Sequence, residues 1–279
     1  MAYGTKTANI MDVPMSVSSV VAPYLGDNGY KFVDMNSIRV LSVANGTLSN
    51  YDETSATAPF GAPSLVVPDE QVLTLAYNKS MLLRIQQSQI QDIPVSQFAK
   101  TTAMQQADEV FVPAHDAYSI GKVLAARPVG NKVLFNATAG NTDLKLQFRR
   151  MINKVTTQGG ALGSTFAWVA ADIAAQIGAL INWTGSDAGY ADGKKGYLGT
   201  LAGARVVEVP DAYLGGAYAV AVDKRAVVNV TPKMDPKAGG MKVLEDVPLF
   251  SGIEIQLRDR SDTFVLNKKA RNVASLEAA

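Results

Sequence analysis

The chain has no cysteine and a single histidine in 279 residues. The first absence excludes a disulfide framework, a thiolate zinc site, an iron–sulfur cluster and a cysteine nucleophile. The second leaves His115 to do all histidine work. Charge is scarce as well: Asp, Glu, Lys and Arg make up 18% of the chain, against roughly 25% in an ordinary soluble domain. The 26 basic residues are set against 25 acidic ones, a net charge of +1, so no bulk field draws in nucleic acid or an anionic membrane. No apolar run is long enough to span a bilayer. The uncharged stretch from Val155 to Ala171 is broken by Thr, Gln, Gly and Ser and falls short of the roughly 20 apolar residues required. Before Asp12 there is one basic residue, Lys6, and no apolar core of signal length, so no secretion signal is expected. Counted with Gly and without Tyr, apolar residues reach about 52%, above the usual 45 to 50%. Such a chain, short of solvating groups, is suited to covering its surface with partners.

The length suggests about two domains. Residues 1–36 form an irregular lead, broken by Gly4, Pro14, Pro23, Gly26 and Gly29, that has little core of its own. Ser37–Val43 alternates like a strand, and Gln71–Gln86 reads as a second extended run. Between them, Asn45–Ser64 is a polar tip rich in Gly, Ser, Thr, Asn and Pro. The reading predicts a hairpin with arms of about 13 residues, on the order of 40 Å long. An isolated ribbon of that kind is marginal in water and packs on another chain.

Residues 94–126 read as helix, with Pro94 in the first turn and Ala107, Phe111, Ala114 and Tyr118 along one stripe. Pro113 predicts a kink or break near Val112. Lys132–Asn136 is a short strand. A second helix, from Asp143 to about Thr157, places Leu144, Phe148, Met151 and Val155 on one face, with Lys145, Arg149, Arg150 and Lys154 around the rest. Those four charges read as a solvated or subunit-facing surface, since no aromatic platform for bases is interleaved. TFAWVA then reads as a strand, DIAAQIGAL as a helix and WTGSDAGYADGKKG as a surface loop. The remainder is β-rich: 204–209, 218–223, 226–230, 253–258 and 263–266, with PKMDPKAGG, residues 232–240, a loop between two strands. Helices and strands are grouped with no βαβ alternation, an α+β layout.

Familiar site chemistry is missing. GYADGKKG around Lys194 fails the phosphate-loop spacing and lacks its hydroxyl. Gly196, Gly199 and Gly203 open onto a strand, without the helix N-terminus that holds a pyrophosphate. Asp187 and Asp192 do not place calcium ligands at alternate positions. His115 and Asp116 are helix neighbours that point about 100° apart, so they form no base–acid pair, and His115 is expected to be partly exposed. No Gly-x-Ser-x-Gly elbow exists. Neither cofactor nor metal is expected.

The segment EVFVPAHDAYSIGKVLA, Glu109–Ala125, resembles the spine-helix pattern of the major capsid proteins of tailed double-stranded DNA bacteriophages, the Hong Kong 97 fold. In that family Val-Pro is followed two residues later by Asp-Ala-Tyr and then by Lys-x-Leu/Val-Ala. YLGTLAGARVVEVP, Tyr197–Pro210, is similar to the family's glycine-bearing turn and strand. TFAWVAADIAAQIGAL resembles the strand and short helix before it, with Ala171 and Asp172 where the family often has Ser-Pro. The order of segments agrees along nearly the whole chain.

The resemblance implies an N-arm at 1–36 and an extended loop at 37–80. It implies a peripheral domain at 81–128 and 227–262, and an axial domain at 129–226 and 263–279. It implies a structural protein without catalysis, made in the bacterial host cytoplasm and located in the virion. Subunits would form pentamers and hexamers of an icosahedral shell around double-stranded DNA. Implied partners are a portal protein, a decoration protein and packaged DNA in weak, non-specific contact, with no membrane. The long charged N-terminal region that serves some relatives as a scaffold is not seen, so a separate scaffolding protein is expected. Inter-subunit contacts are expected at Tyr51, Asp52, Glu53, Phe60, Asp116, Gly199 and Gly203. Some relatives weld their shells by a Lys–Asn isopeptide bond from the extended loop, but no Lys lies between Lys31 and Lys79 here, so none is expected. The alternatives weighed are a bacterial nanocompartment shell, whose N-terminal pattern is not seen, and a small α+β enzyme with a scattered carboxylate site.

Overall fold

A computed structural model describes residues 19–26, 28–30, 37–43, 46–55, 57, 59–61, 65–86, 95–136, 141–180, 196–230, 240–244 and 252–279. The remaining lead residues, Pro94, the loop with Asp187, Asp192 and Lys194, and most of the 232–240 loop lie outside the described residues. The strands are β1 (Ser37–Val43), β2 (Pro68–Thr74), β3 (Tyr77–Gln86), β4 (Lys132–Phe135), β5 (Thr165–Ala170) and β6 (Tyr197–Leu201). They continue with β7 (Ala204–Val209), β8 (Ala217–Asp223), β9 (Val227–Val230), β10 (Met241–Leu244), β11 (Gly252–Val265) and β12 (Val273–Ala278). The α-helices are α1 (Val95–Gln106), α2 (Val112–Ala125), α3 (Asn141–Thr156) and α4 (Ala171–Leu180). Contacts divide the chain into two compact units, Phe32–Thr74 and the rest.

The larger unit is built on a six-stranded mixed sheet in the order β4-β12-β8-β5-β7-β6. All six residues of β5 are buried, and alternation sends them to two cores. Ala167 and Val169 join Leu144, Phe148, Met151 and Ile152 under α3, while Phe166, Trp168 and Ala170 join Ile120 and Val123 of α2 on the other face. A strand covered on both faces reads as one apolar run, which is why TFAWVA was legible. The α3 stripe is as expected: Leu144, Phe148, Met151 and Val155 are fully buried.

A second sheet has the order β10-β11-β3, and β9 pairs with the far end of β11. Two strands were expected at 253–258 and 263–266; the structure has one strand of 14 residues. Its first ten residues pair with β3 and its last four with β9. The polar stretch RDRSD does not break it because its backbone stays in register, Arg258–Ser261 with β3 and Asp262 with Val230 of β9. Gln71–Gln86 is likewise not one arm. Leu75 and Ala76 separate β2, which pairs with β1, from β3, which pairs with β11.

Pro113 does not break the long helix. Ala107–Phe111 forms a π-helical turn in which the Val112 N–H donates to the Ala107 carbonyl, and Pro113 follows at the start of α2. One extra residue in the turn makes room where the proline ring would press on a carbonyl and leave it without a donor. That extra residue also advances the helix phase by about 100°. The expected stripe therefore shifts by one. Ala114 is exposed, and the buried face after Phe111 runs through His115, Asp116, Ser119, Ile120 and Val123. His115, expected to be partly exposed, is 3% exposed.

Candidate subunit-contact surfaces

In the smaller unit β1 and β2 form an antiparallel ribbon of seven residue pairs, Ser37↔Thr74 to Val43↔Pro68. At about 3.3 Å per residue the ladder is roughly 23 Å long, shorter than the 13-residue arms expected. One face carries Val40 and Leu73, both buried. The other carries Leu41, Val43 and Val72, each more than half exposed, beside an Arg39–Glu70 ion pair at 2.6 Å. Beyond the ladder, Leu48 is 98% and Leu65 91% exposed. Among the described residues this short segment holds more than half of the large apolar side chains that are exposed. Patches of that extent on soluble chains mark contact surfaces.

The tip has an ordered centre. Asp52 accepts from the Thr54 hydroxyl at 2.6 Å and the Thr54 amide at 2.9 Å, which hold its carboxyl below the ordinary value. The Asp52 amide donates to the Pro59 carbonyl at 3.0 Å and closes the loop. That closure sets Tyr51 and Phe60 ring to ring, with centroids 5.1 Å apart, yet Phe60 stays 80% exposed. Gly61 is required there: its φ is +75° and a Cβ would lie 2.5 Å from Ser49 Cβ. Glu53 is exposed beside them. Tyr51, Asp52, Glu53 and Phe60 are therefore brought together.

Asp116 is 2% exposed and both its carboxylate oxygens are engaged within the chain. They accept from the Ser19 hydroxyl at 2.6 Å and the Val20 amide at 2.7 Å. Burial pushes this carboxyl up, against the pull of the two donors. The clamp lays Val21, Tyr24 and Leu25 into the core beneath Trp168 and Val220. Gly199 sits at a register shift between β6 and β7, with φ +141°. Ala202 and Gly203, at φ +53° and +83°, make the tight turn between the same strands. A Cβ on Gly203 would lie 3.1 Å from Leu162, so this glycine serves a close approach within the chain.

A buried polar cluster between α2 and β11 was not anticipated. Asp262 accepts from the Ala76 amide at 2.8 Å, the Tyr118 hydroxyl at 3.0 Å and the Thr263 amide at 2.8 Å. Thr263 donates to Ser119 or Asn229, whose oxygens lie 2.7 and 2.8 Å away. Tyr77 packs on Tyr118 and edge-on to His115. The sequence signal was available: Asp259, Ser261 and Thr263 recur at period two within a β-rich run, and all three are buried.

Two members of this cluster carry opposite pH dependences. Asp259 is fully buried, and among the described residues its Oδ1 meets no donor. Burial pushes its carboxyl up to about 6, only partly opposed by the Ser261 hydroxyl. Burial also pushes the His115 imidazole down to about 4, with Asp262 opposing. The folded chain therefore keeps the Asp259 proton where the unfolded chain has released it. Stability from this group falls as pH rises from about 4 through 6, by roughly 3 kcal/mol in all. His115 does the reverse, losing stability as pH falls from about 6.5 to 4. The two slopes offset each other in the native chain, so a substitution separates them. Asp259→Asn is expected to melt higher than the native chain at pH 8 and level with it near pH 4. Equal melting at pH 8 contradicts the assignment.

No family model matches the chain, and no curated protein does. Solved structures do. The capsid structure of the Cyanophage P-SCSP1u aligns at 12% identity and a TM-score of 0.68, covering 99% of this chain and 93% of that one. A structure from Mycobacterium phage Bobi aligns at 16% identity and 0.68, covering 99% and 96%. The asymmetric unit of the bacteriophage PhiM1 mature capsid aligns at 13% and 0.59, covering 100% and 91%. At these identities the likeness is one of fold, and it spans both units. The chain has the α+β fold of the Hong Kong 97 type, as its motifs imply.

Proposed function

We propose that this chain is the major capsid protein of a tailed double-stranded DNA phage, a structural protein that assembles into the hexamers and pentamers of an icosahedral shell. The observation that carries the reading is the hairpin of Ser37–Thr74. Its exposed apolar face and tip have no purpose in an isolated chain and suit a neighbour's surface. Charge supports this, since Asp52 and Glu53 are the only ionised residues between Val40 and Pro68, and unpaired charges there would be costly to desolvate.

In this reading residues 37–80 are the extended loop that covers a neighbour, with Tyr51, Asp52, Glu53 and Phe60 at the contact. The peripheral domain takes 81–128 and 227–262, and the axial domain 129–226 and 263–279. Asp116 acts inside the subunit, tying the end of the N-arm to the spine helix. Many modest contacts then sum over a closed lattice. A separate scaffolding protein directs assembly, a portal occupies one vertex, and the shell is located in the virion. The shell holds by contact alone, because no Lys lies between Lys31 and Lys79 and the loop tip cannot supply an isopeptide amine. Assembled particles boiled in denaturant are expected to run as one band at 29.6 kDa; a covalent ladder contradicts this. Sedimentation tests the function. Capsomers or megadalton particles are expected, and a monomer at every concentration and with the scaffold present overturns the reading.

A further inference from the structure

The net charge of +1 conceals a separation within the six-stranded sheet. At the end where β4, β5, β7 and β12 begin and β8 finishes, four turns are tied together. Asn131 Nδ2 donates to the Arg271 and Val273 carbonyls at 2.7 and 2.8 Å. Lys269 Nζ donates to the Arg225 carbonyl at 3.1 Å. The Ala161 amide donates to Asp223 at 3.0 Å. Lys154 Nζ, at the end of α3, donates to the Gly130 carbonyl. These turns and the strand starts beside them carry Lys154, Arg205, Lys224, Arg225, Lys269 and Arg271. Among the described residues of these turns one acid stands against them, Asp223, and it is fully buried. Burial alone would push its carboxyl up, but the Arg225 guanidinium at 2.7 Å and the Arg225 and Ala161 amides hold it at about 2.

Among the described residues the other end of the same sheet is acidic, with Asp172 and Asp211 exposed and Glu208 half-buried. A six-residue strand separates the ends by about 20 Å. The Debye length in physiological salt is about 8 Å. The acids therefore do not neutralise the cations for anything that approaches the basic end, and net charge is the wrong measure of what binds there.

We propose that this basic end is a docking surface for the phosphate backbone of double-stranded DNA. Four strand spacings, from β4 to β7, span about 19 Å, a length over which a duplex presents about eleven phosphate charges. The contact is without sequence preference, because the cations stand on turns and no helix or ribbon is offered to a groove. An acidic protein fits less well. Protein interfaces are depleted in Lys, and Lys154, Lys224 and Lys269 make up half of this set. The choice of double-stranded DNA as the anion rests on the shell reading above.

The test is titration of the purified full-length chain with a short fluorescent DNA duplex over a range of salt. Arg205, Lys224 and Arg271 are exposed, so R205Q/K224Q/R271Q leaves the fold's own bonds in place. This variant is expected to bind on the order of a hundredfold more weakly in 0.1 M salt and to lower the log–log salt slope by about 2.7. The charge-keeping R205K/K224R/R271K and the acidic-end D172N/D211N are expected to match the native slope. An unchanged slope in the Gln variant overturns the proposal. So does a subunit role: R205E/K224E/R271E abolishing assembly, with D172K/D211K on the same chain restoring it. Failure of the native chain to form shells counts against the shell reading alone, because the duplex titration reads this face in whatever state the chain assumes.

Discussion

Replacing Leu48 and Phe60 together by Ser is expected to abolish shell assembly while moving the melting temperature of the subunit by no more than about 2 °C. The two side chains are 98% and 80% exposed, so the subunit's own fold gains little from them, and surface changes of this kind stay within about 0.5 kcal/mol. In a lattice contact the same side chains would be covered. Burial of each is worth roughly 1.5 to 3 kcal/mol, so the pair removes about 3 to 6 kcal/mol per contact. That weakens a single contact by about two to four powers of ten, and the loss recurs at every position of a closed shell. Sedimentation of the assembled fraction, run beside a thermal melt, reads both halves. Normal shell yield from the double variant would mean that the hairpin tip is not a contact.

The second large effect lies in the subunit itself. Asp262→Ala leaves the Ala76 and Thr263 amides and the Tyr118 hydroxyl without their acceptor in a site where the aspartate is 1% exposed. Each buried donor left without its acceptor costs about 1 to 3 kcal/mol, and for a chain of this length each kcal/mol lowers the melting temperature by about 2 to 4 °C. A fall on the order of 10 °C is expected. Asp262→Asn keeps the shape and one acceptor oxygen and is expected to lose about half as much. Urea or thermal unfolding of the three proteins decides the matter, and an Ala variant within 1 kcal/mol of the native chain refutes the network. Because Asp262 holds the Ala76 amide at the entry to β3, the Ala variant is also expected to assemble poorly.

The two effects differ in how far the sequence announced them. The hairpin was readable from alternation in Ser37–Val43 and from the dearth of charge that follows, although its arms were drawn too long. Gln71–Gln86 alternates at Leu73–Tyr77 and again at Leu83–Gln86, and nothing local shows that Leu75 and Ala76 pass the chain from one sheet to another. β5 and α3 were legible because burial on both faces, or on one helical stripe, writes itself directly into residue type. β12 was not. VASLEA is rich in Ala, Leu and Glu, which favour helix by propensity. Here it is placed between β4 and β8, with Val273, Ala274, Ser275 and Leu276 all buried, and tertiary pairing decides. The π-helical turn was hidden for a related reason. A proline predicts disturbance, but its remedy lies in the hydrogen bonds of the residues before it. Once one residue is inserted, every helical position after it turns by one, and His115 and Asp116 move from a presumed surface into the core. Net charge misled in a third way, since a total of +1 carries no record of which end of a sheet each charge occupies.

The central claim is that the exposed hairpin is one half of an inter-subunit contact in a closed shell. Cryo-electron microscopy of the purified protein assembled with its scaffold tests it most directly. The account predicts icosahedral particles built of hexamers and pentamers, with Leu48, Tyr51 and Phe60 of each subunit buried against the neighbouring subunit. Particles in which those three side chains face solvent, or a protein that stays a monomer under every assembly condition, would contradict it.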